Sequence, residues 1–151
     1  MTVLENPASG AMKRFSEAHT RVIIEQILLA LDFFQRKKIV HRDIKLENIL
    51  ISSVEDRSDY DIRIADFGLA IITPADDRVV GKCGSPGYVA PEVFKGLYYS
   101  YKADVFSLGS VMYQLLTGQY LFDGNTAKAI IKKNIECDLS HTYKQTKMIS
   151  T

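Results

Sequence analysis

The sequence contains no tryptophan, only two cysteines among 151 residues, and almost no excess of either charge. Each shortage excludes something. Cys83 and Cys137 make no metal-ligand spacing, which removes zinc frameworks and disulfide scaffolds. Such sparse cysteine suits a reducing compartment, and a cytoplasmic protein is expected. Lys and Arg number 19 against 18 Asp and Glu, a net charge of +1, so no nucleic-acid or membrane-surface partner is expected. Long apolar runs are missing too. The longest uncharged stretch, Val105 to Phe122, includes Ser107, Gly109, Ser110, Gln114, Thr117 and Gln119 and is too polar for a membrane span. Met1 to Gly10 carries Glu5 and Pro7 and lacks the apolar core of a signal peptide.

Hydrophobic residues make up 46% and charged residues 25%, ordinary values for a globular domain long enough to bury a real core. Residues 1–14 hold Asn6, Pro7, Ser9 and Gly10 and are expected to form a loop. Ser16 is a suitable N-cap for a helix reaching about Lys38, in which Ile23, Ile27, Ala30 and Phe34 recur at helical spacing. Ile39-Val40 is a short β-like pair. Ile49 to Ser52 and Ile62 to Ala65 read as partner strands joined by a polar connection. Lys102 to Thr117 is apolar almost all round, which predicts a helix in the middle of the domain that Gly118 ends. A further short helix is expected over Asn125 to Asn134, and residues 136–151 form a polar tail.

The chemistry concentrates in His41-Arg42-Asp43-Ile44-Lys45-Leu46-Glu47-Asn48. Asp43 is a carboxylate able to accept a hydroxyl proton. Lys45, two residues on, projects from the same side of an extended loop and can neutralise nearby negative charge. Asn48 offers an amide oxygen, a hard ligand of the kind Mg²⁺ takes. By itself the octapeptide is also compatible with a charged surface turn before an apolar strand. Asp66-Phe67-Gly68 then follows the second strand of the expected hairpin, and Ala90-Pro91-Glu92 comes later.

Those three motifs, in that order, resemble the H-R-D-L-x-x-x-N, D-F-G and A-P-E signatures of eukaryotic-type protein kinases, with Ile44 in place of the usual Leu. Gly84-Ser85-Pro86-Gly87-Tyr88-Val89 is similar to the Ser/Thr-specific form, most like the calcium/calmodulin-dependent-type group. The resemblance implies an α+β, mainly α-helical fold, a kinase-like C-terminal lobe with short β-hairpins carrying the catalytic and metal-binding loops. It places a partial kinase domain over residues 15–135. It also implies ATP and Mg²⁺ as cofactors and a protein Ser/Thr hydroxyl as acceptor. Asp43 would be the base, Lys45 the phosphate contact, and Asn48 and Asp66 the Mg²⁺ ligands. Leu50 would lie in the adenine floor and Glu47 near the ribose. His41 and Phe67 would stack in an apolar spine, Ser85 would orient Asp43 and Lys45, and Asp104 would bind the His41-Arg42 backbone. Phe106 stands where the family usually has Trp.

Other family features have no counterpart in these 151 residues. Gly10 is the only glycine before Gly68, so no Gly-rich phosphate loop is present, and no V-A-I-K strand precedes the catalytic loop. No Arg follows Arg78 to pair with Glu92. The expectation is a large-lobe piece lacking the small lobe and the last helices, with apolar surface exposed. Arg42, which in the family pairs with an activation-segment phosphate, meets Gly81 at the usual phosphorylated position. Asp76 or Asp77 would supply fixed charge instead, or Arg42 would go unpaired. The functional expectation is a Ser/Thr protein kinase of which this chain is an incomplete domain. The alternative is an inactive kinase-derived binding module or a truncated product.

Overall fold

The computed structural model describes residues 2–3, 14–53, 60–140 and 142. Its organising helix, α1 (Glu17–Arg36), starts where Ser16 accepts the His19 N–H at 3.3 Å and carries Glu17 in the first turn and Arg36 in the last. Thr20, Ile23, Ile27 and Leu31 are its buried stripe. It stops two residues earlier than the pattern suggested, because Lys38 turns left-handed (φ +59°) and redirects the chain into β2 (Ile39–Val40).

A single 3₁₀ turn over Leu46–Asn48 leads into β3 (Ile49–Ser53), which pairs antiparallel with β4 (Tyr60–Ile64), Ile49 facing Ile64 and Ser53 facing Tyr60. Within the stretch expected to be a loop, Thr2–Val3 form β1, opposite Ile51 and Leu50 on the outer edge of β3. That edge otherwise presents unpaired backbone groups, which a neighbouring extended segment satisfies whatever its side chains. Most of the expected polar connection after β3, residues 54–59, lies outside the described residues. β5 (Ile71–Ile72) pairs antiparallel with β2 and makes a second, two-stranded sheet.

Three helices follow, α2 (Pro91–Phe94), α3 (Lys102–Thr117) and α4 (Ala127–Glu136). Proline at the first position of α2 presets its φ, and Gly118 (φ +71°) caps α3 by donating its N–H to the Gln114 carbonyl. α3 buries Ala103, Leu108, Val111 and Leu115 but leaves Val105 and Met112 about half exposed, so it is less enclosed than its composition predicts.

The main core joins Ile23, Ile27 and Leu31 of α1 to Leu108, Val111 and Leu115 of α3 and to Ile44, Leu46 and Ile49. The last three come from the charged octapeptide and the strand after it. Their burial, worth about 1.5–3 kcal/mol per side chain, nails that loop to the helices. The alternating residues Asp43 and Lys45 are left to point at one another. A second cluster of Val40, Val79, Val89, Val93, Tyr99 and Ala103 holds the segment that runs from Asp66 to Ala90.

Candidate active site

The octapeptide is held from below by α3. Asp104, almost wholly buried, accepts the His41 N–H at 2.7 Å and the Arg42 N–H at 2.8 Å, as the family resemblance implies. Burial pushes its carboxyl above the usual carboxylate value, and these two amides pull it back only in part. The pair of bonds pins Arg42 in a left-handed conformation (φ +70°), a corner immediately before Asp43.

Asp43 is the hub. Its Oδ1 accepts the Ser85 N–H at 3.0 Å and the Ser85 hydroxyl at 2.8 Å, and its Oδ2 faces Lys45 Nζ at 2.9 Å. Lys45 Nζ also donates to Ser85 Oγ at 2.9 Å, closing a triangle of three side chains. Asn48 Nδ2 donates to the Asp43 carbonyl at 2.9 Å and to its Oδ2 at 3.2 Å. Burial raises the Asp43 carboxyl, but the hydrogen bonds from Lys45 and Ser85, the Lys45 charge and the Asn48 amide outweigh it. The group is held below the ordinary carboxylate value, an anion at neutral pH.

Ala65 ties this loop to the second motif. Its N–H donates to the Asn48 carbonyl at 2.8 Å, and its carbonyl meets His41 Nε2 at 3.2 Å. Since a carbonyl only accepts, His41 donates from Nε2, and its Nδ1 accepts the Asp43 N–H at 3.3 Å. The residue after Ala65 is Asp66, exposed and left-handed (φ +61°), whose Oδ1 takes the Gly68 N–H at 3.1 Å. Phe67 folds back so that its ring meets His41 at 4.9 Å and Phe34 of α1 at 5.4 Å, edge to face in both contacts. His41 and Phe67 touch as expected but edge to face rather than stacked; the ring that stacks on His41 is Phe34 of α1, at 6.2 Å and 19° between planes.

Asn48 and Asp66 have the right chemistry for a hard cation. The Asn48 amide has its nitrogen committed to Asp43, which turns its oxygen the other way, and Asp66 keeps Oδ2 beyond its turn bond. Glu47 is exposed on the 3₁₀ turn, and Leu50 sits half-buried in the middle of β3, opposite Arg63 and Val3.

Arg42 does not meet Asp76 or Asp77. The β2–β5 pairing sets residues 71–72 against 39–40, so the chain that follows passes Lys38 instead. Asp77 pairs with Lys38 at 2.9 Å and accepts the Thr73 hydroxyl at 2.9 Å, while Asp76 accepts the Arg78 N–H. Arg42 turns its Nε to the Leu69 carbonyl at 2.6 Å and its Nη1 toward the Tyr99 hydroxyl at 3.5 Å, which joins Asp66-Phe67-Gly68-Leu69 to the His41-Arg42 corner. Glu92 is half-buried rather than enclosed. Sequence reasoning also missed Tyr88, buried with its hydroxyl on Gln114 Oε1 at 2.6 Å. The signal available was one amide in an otherwise apolar turn of α3.

The sequence pattern of the protein kinase domain matches residues 2–151. The chain is 38% identical over 130 residues to a probable serine/threonine-protein kinase 2 of Plasmodium falciparum, covering 86% of this chain and 25% of that protein. It is 40% identical over 126 residues to the SNF1-like protein kinase ssp2 of Schizosaccharomyces pombe, covering 83% and 21%. It is 38% identical over 120 residues to the human serine/threonine-protein kinase ULK1, covering 77% and 11%. The chain therefore spans a quarter or less of the length of these relatives. The Asp43 hub, the backbone link of its loop to Ala65 beside Asp66 and a match along nearly all of its length together make this chain a member of the protein kinase domain family.

Proposed function

We propose that the chain carries the phosphoryl-transfer residues of a serine/threonine protein kinase acting in the cytoplasm, with ATP and Mg²⁺ as cofactors and a protein hydroxyl as acceptor. The observation that carries this reading is the Asp43–Lys45–Ser85 triangle. A carboxylate kept ionised by two neighbours is ready to take a hydroxyl proton, and an ammonium 2.9 Å away offsets charge on a phosphoryl group. Asp43 acts as the base, Lys45 contacts the transferred phosphate, and Ser85 holds both. Asn48 and Asp66 hold Mg²⁺. Leu50 supplies part of the adenine floor and Glu47 lies toward the ribose. Bound ATP·Mg²⁺ contributes the transferable phosphoryl group and most of the positive charge that neutralises it. The names of the relatives and the segment 84–89 both support a Ser/Thr rather than a tyrosine acceptor, and the same segment supports a likeness to the calcium/calmodulin-dependent-type group.

Titrating ATP into the purified chain with and without Mg²⁺, followed by calorimetry, tests the assignment. Binding is expected with Mg²⁺ and is expected to vanish in Asp66→Asn. A chain that takes up no nucleotide at millimolar concentration refutes it. One observation favours a binding module instead. Ile24, Leu28 and Leu29 of α1 and Met112 and Leu116 of α3 line an open apolar groove of about 1020 Å³. Absence of nucleotide binding would leave that surface as the functional feature.

A further inference from the structure

The segment Ser85–Ala90 is gripped at both ends. At one end Ser85 bonds Asp43 and Lys45, and the Tyr88 N–H closes a turn on the Ser85 carbonyl at 3.2 Å. At the other end a single side chain of α4 holds it. Asn134, fully buried, accepts the Gly87 N–H on Oδ1 at 3.0 Å and donates Nδ2 to the Val89 carbonyl at 2.7 Å. An N–H only donates and a carbonyl only accepts, so this amide sits one way round. Gly87 is left-handed (φ +92°), and a Cβ there would lie 3.4 Å from the Phe122 carbonyl and 3.7 Å from Ile130 of α4. The turn is thus laid directly on the helix.

A leucine at position 134 keeps the same branched skeleton with larger δ-methyl groups, desolvates no amide and is the better helix former. What leucine cannot do is bond two backbone groups of a non-helical segment at once. Those groups flank Tyr88 and lie two and four residues after Ser85. Moving them moves the hydroxyl that orients Asp43. The helix bearing Asn134 has no other route to the reacting carboxylate in the bonds described.

We propose that Asn134 is a positioning residue for the phosphoryl acceptor: by clamping Gly87 and Val89 to α4 it sets the Ser85–Ala90 segment, and through Ser85 the Asp43–Lys45 pair. The proposal rests on the phosphotransfer reading above. Acceptor binding is affected first, and nucleotide binding, which uses Asn48 and Asp66, is left alone.

The test compares Asn134→Leu, Asn134→Asp and the surface control Lys132→Ala in the full chain. Amide exchange is read first, because it needs no activity. In Asn134→Leu the amides of 84–90 exchange roughly ten- to a hundredfold faster, as expected when two buried groups lose their partners, while α3 keeps its protection. Asn134→Asp retains the acceptor for Gly87, so that amide stays protected. Kinetics then show KM for a Ser-containing peptide raised about tenfold in Asn134→Leu, with KM for ATP and peptide-independent ATP hydrolysis unchanged. Unchanged exchange at 84–90, equal loss of protection in α3, or equal loss of peptide transfer and ATP hydrolysis overturns the clamp. A wild-type chain that binds no ATP·Mg²⁺ overturns the preceding functional reading, and the exchange result then decides the clamp by itself.

Discussion

Asp104 is the buried support of the whole site, and its removal has a calculable cost. The carboxylate is 2% exposed and accepts two short backbone bonds, 2.7 and 2.8 Å, from His41 and Arg42. A hydrogen bond to a charged acceptor contributes about 1.5–3 kcal/mol, so Asp104→Ala removes two of these and strands two N–H groups in the core. It also releases Arg42 from its left-handed corner, which returns about 1–2 kcal/mol of backbone strain and partly offsets the loss. The expected net loss is about 2–4 kcal/mol. Asp104→Asn keeps one acceptor but turns an NH₂ toward the second N–H, so about 2–3 kcal/mol is expected. Urea unfolding at neutral pH, followed by circular dichroism, measures both. Because the corner aims Asp43, any phosphoryl transfer falls further than stability alone explains, and nucleotide affinity falls less. An Asp104→Ala chain within 1 kcal/mol of wild type would show that the corner is held by other contacts and would refute this account.

Two further outcomes are open to the same measurements. A Cβ on Gly84 would lie 2.6 Å from the Arg42 carbonyl and 2.7 Å from Val89 at a φ of +98°, so Gly84→Ala is expected to cost about 3 kcal/mol or more. Gly81→Ala, at φ +109° with nothing within 4 Å, is expected to cost only about 1 kcal/mol of backbone strain, and equal losses in urea melts would rule out the clash. The lowered Asp43 carboxyl carries a pH signature. A depressed folded value stabilises the fold above the ordinary aspartate value of about 4, and that stability is lost as pH falls through the lower folded value. The stability margin of wild type over Asp43→Asn, from urea melts at several pH values, should therefore be full at pH 6 and shrink below about pH 4. A margin independent of pH would contradict the network around Asp43.

Local patterning carried much of this structure. The stripe Ile23–Ile27–Leu31 with a Ser16 cap defines α1, and Gly118 after a long apolar run defines the end of α3. Asp43, Lys45, Asn48 and Asp66 were legible as a set because their chemistry depends on spacing along two short loops. Ser85 was legible only through family resemblance, 40 residues from Lys45 in the chain. Arg42 illustrates the failure. Sequence offered Asp76 or Asp77 as its partner, by charge and by their place between Asp66 and Ser85, or no partner at all, whereas the β2–β5 register carries those residues past Lys38. The exposed faces of Val105 and Met112 on α3 were also hidden, since composition reports that a residue is apolar and not what lies opposite it.

From the order of residues alone came the elements, the two charged loops and the polar residues that the family motifs single out, because helix caps, alternation and motif spacing act over a few residues. Tertiary structure decided which backbone groups those side chains satisfy. Asp104 reaching His41, Ala65 joining Asn48 to His41, and Asn134 holding Gly87 and Val89 are hydrogen bonds made across 17 to 63 positions of the chain or within buried corners. Such bonds depend on where packing of the apolar cores leaves an unpaired donor or acceptor, and no local rule in the sequence specifies that.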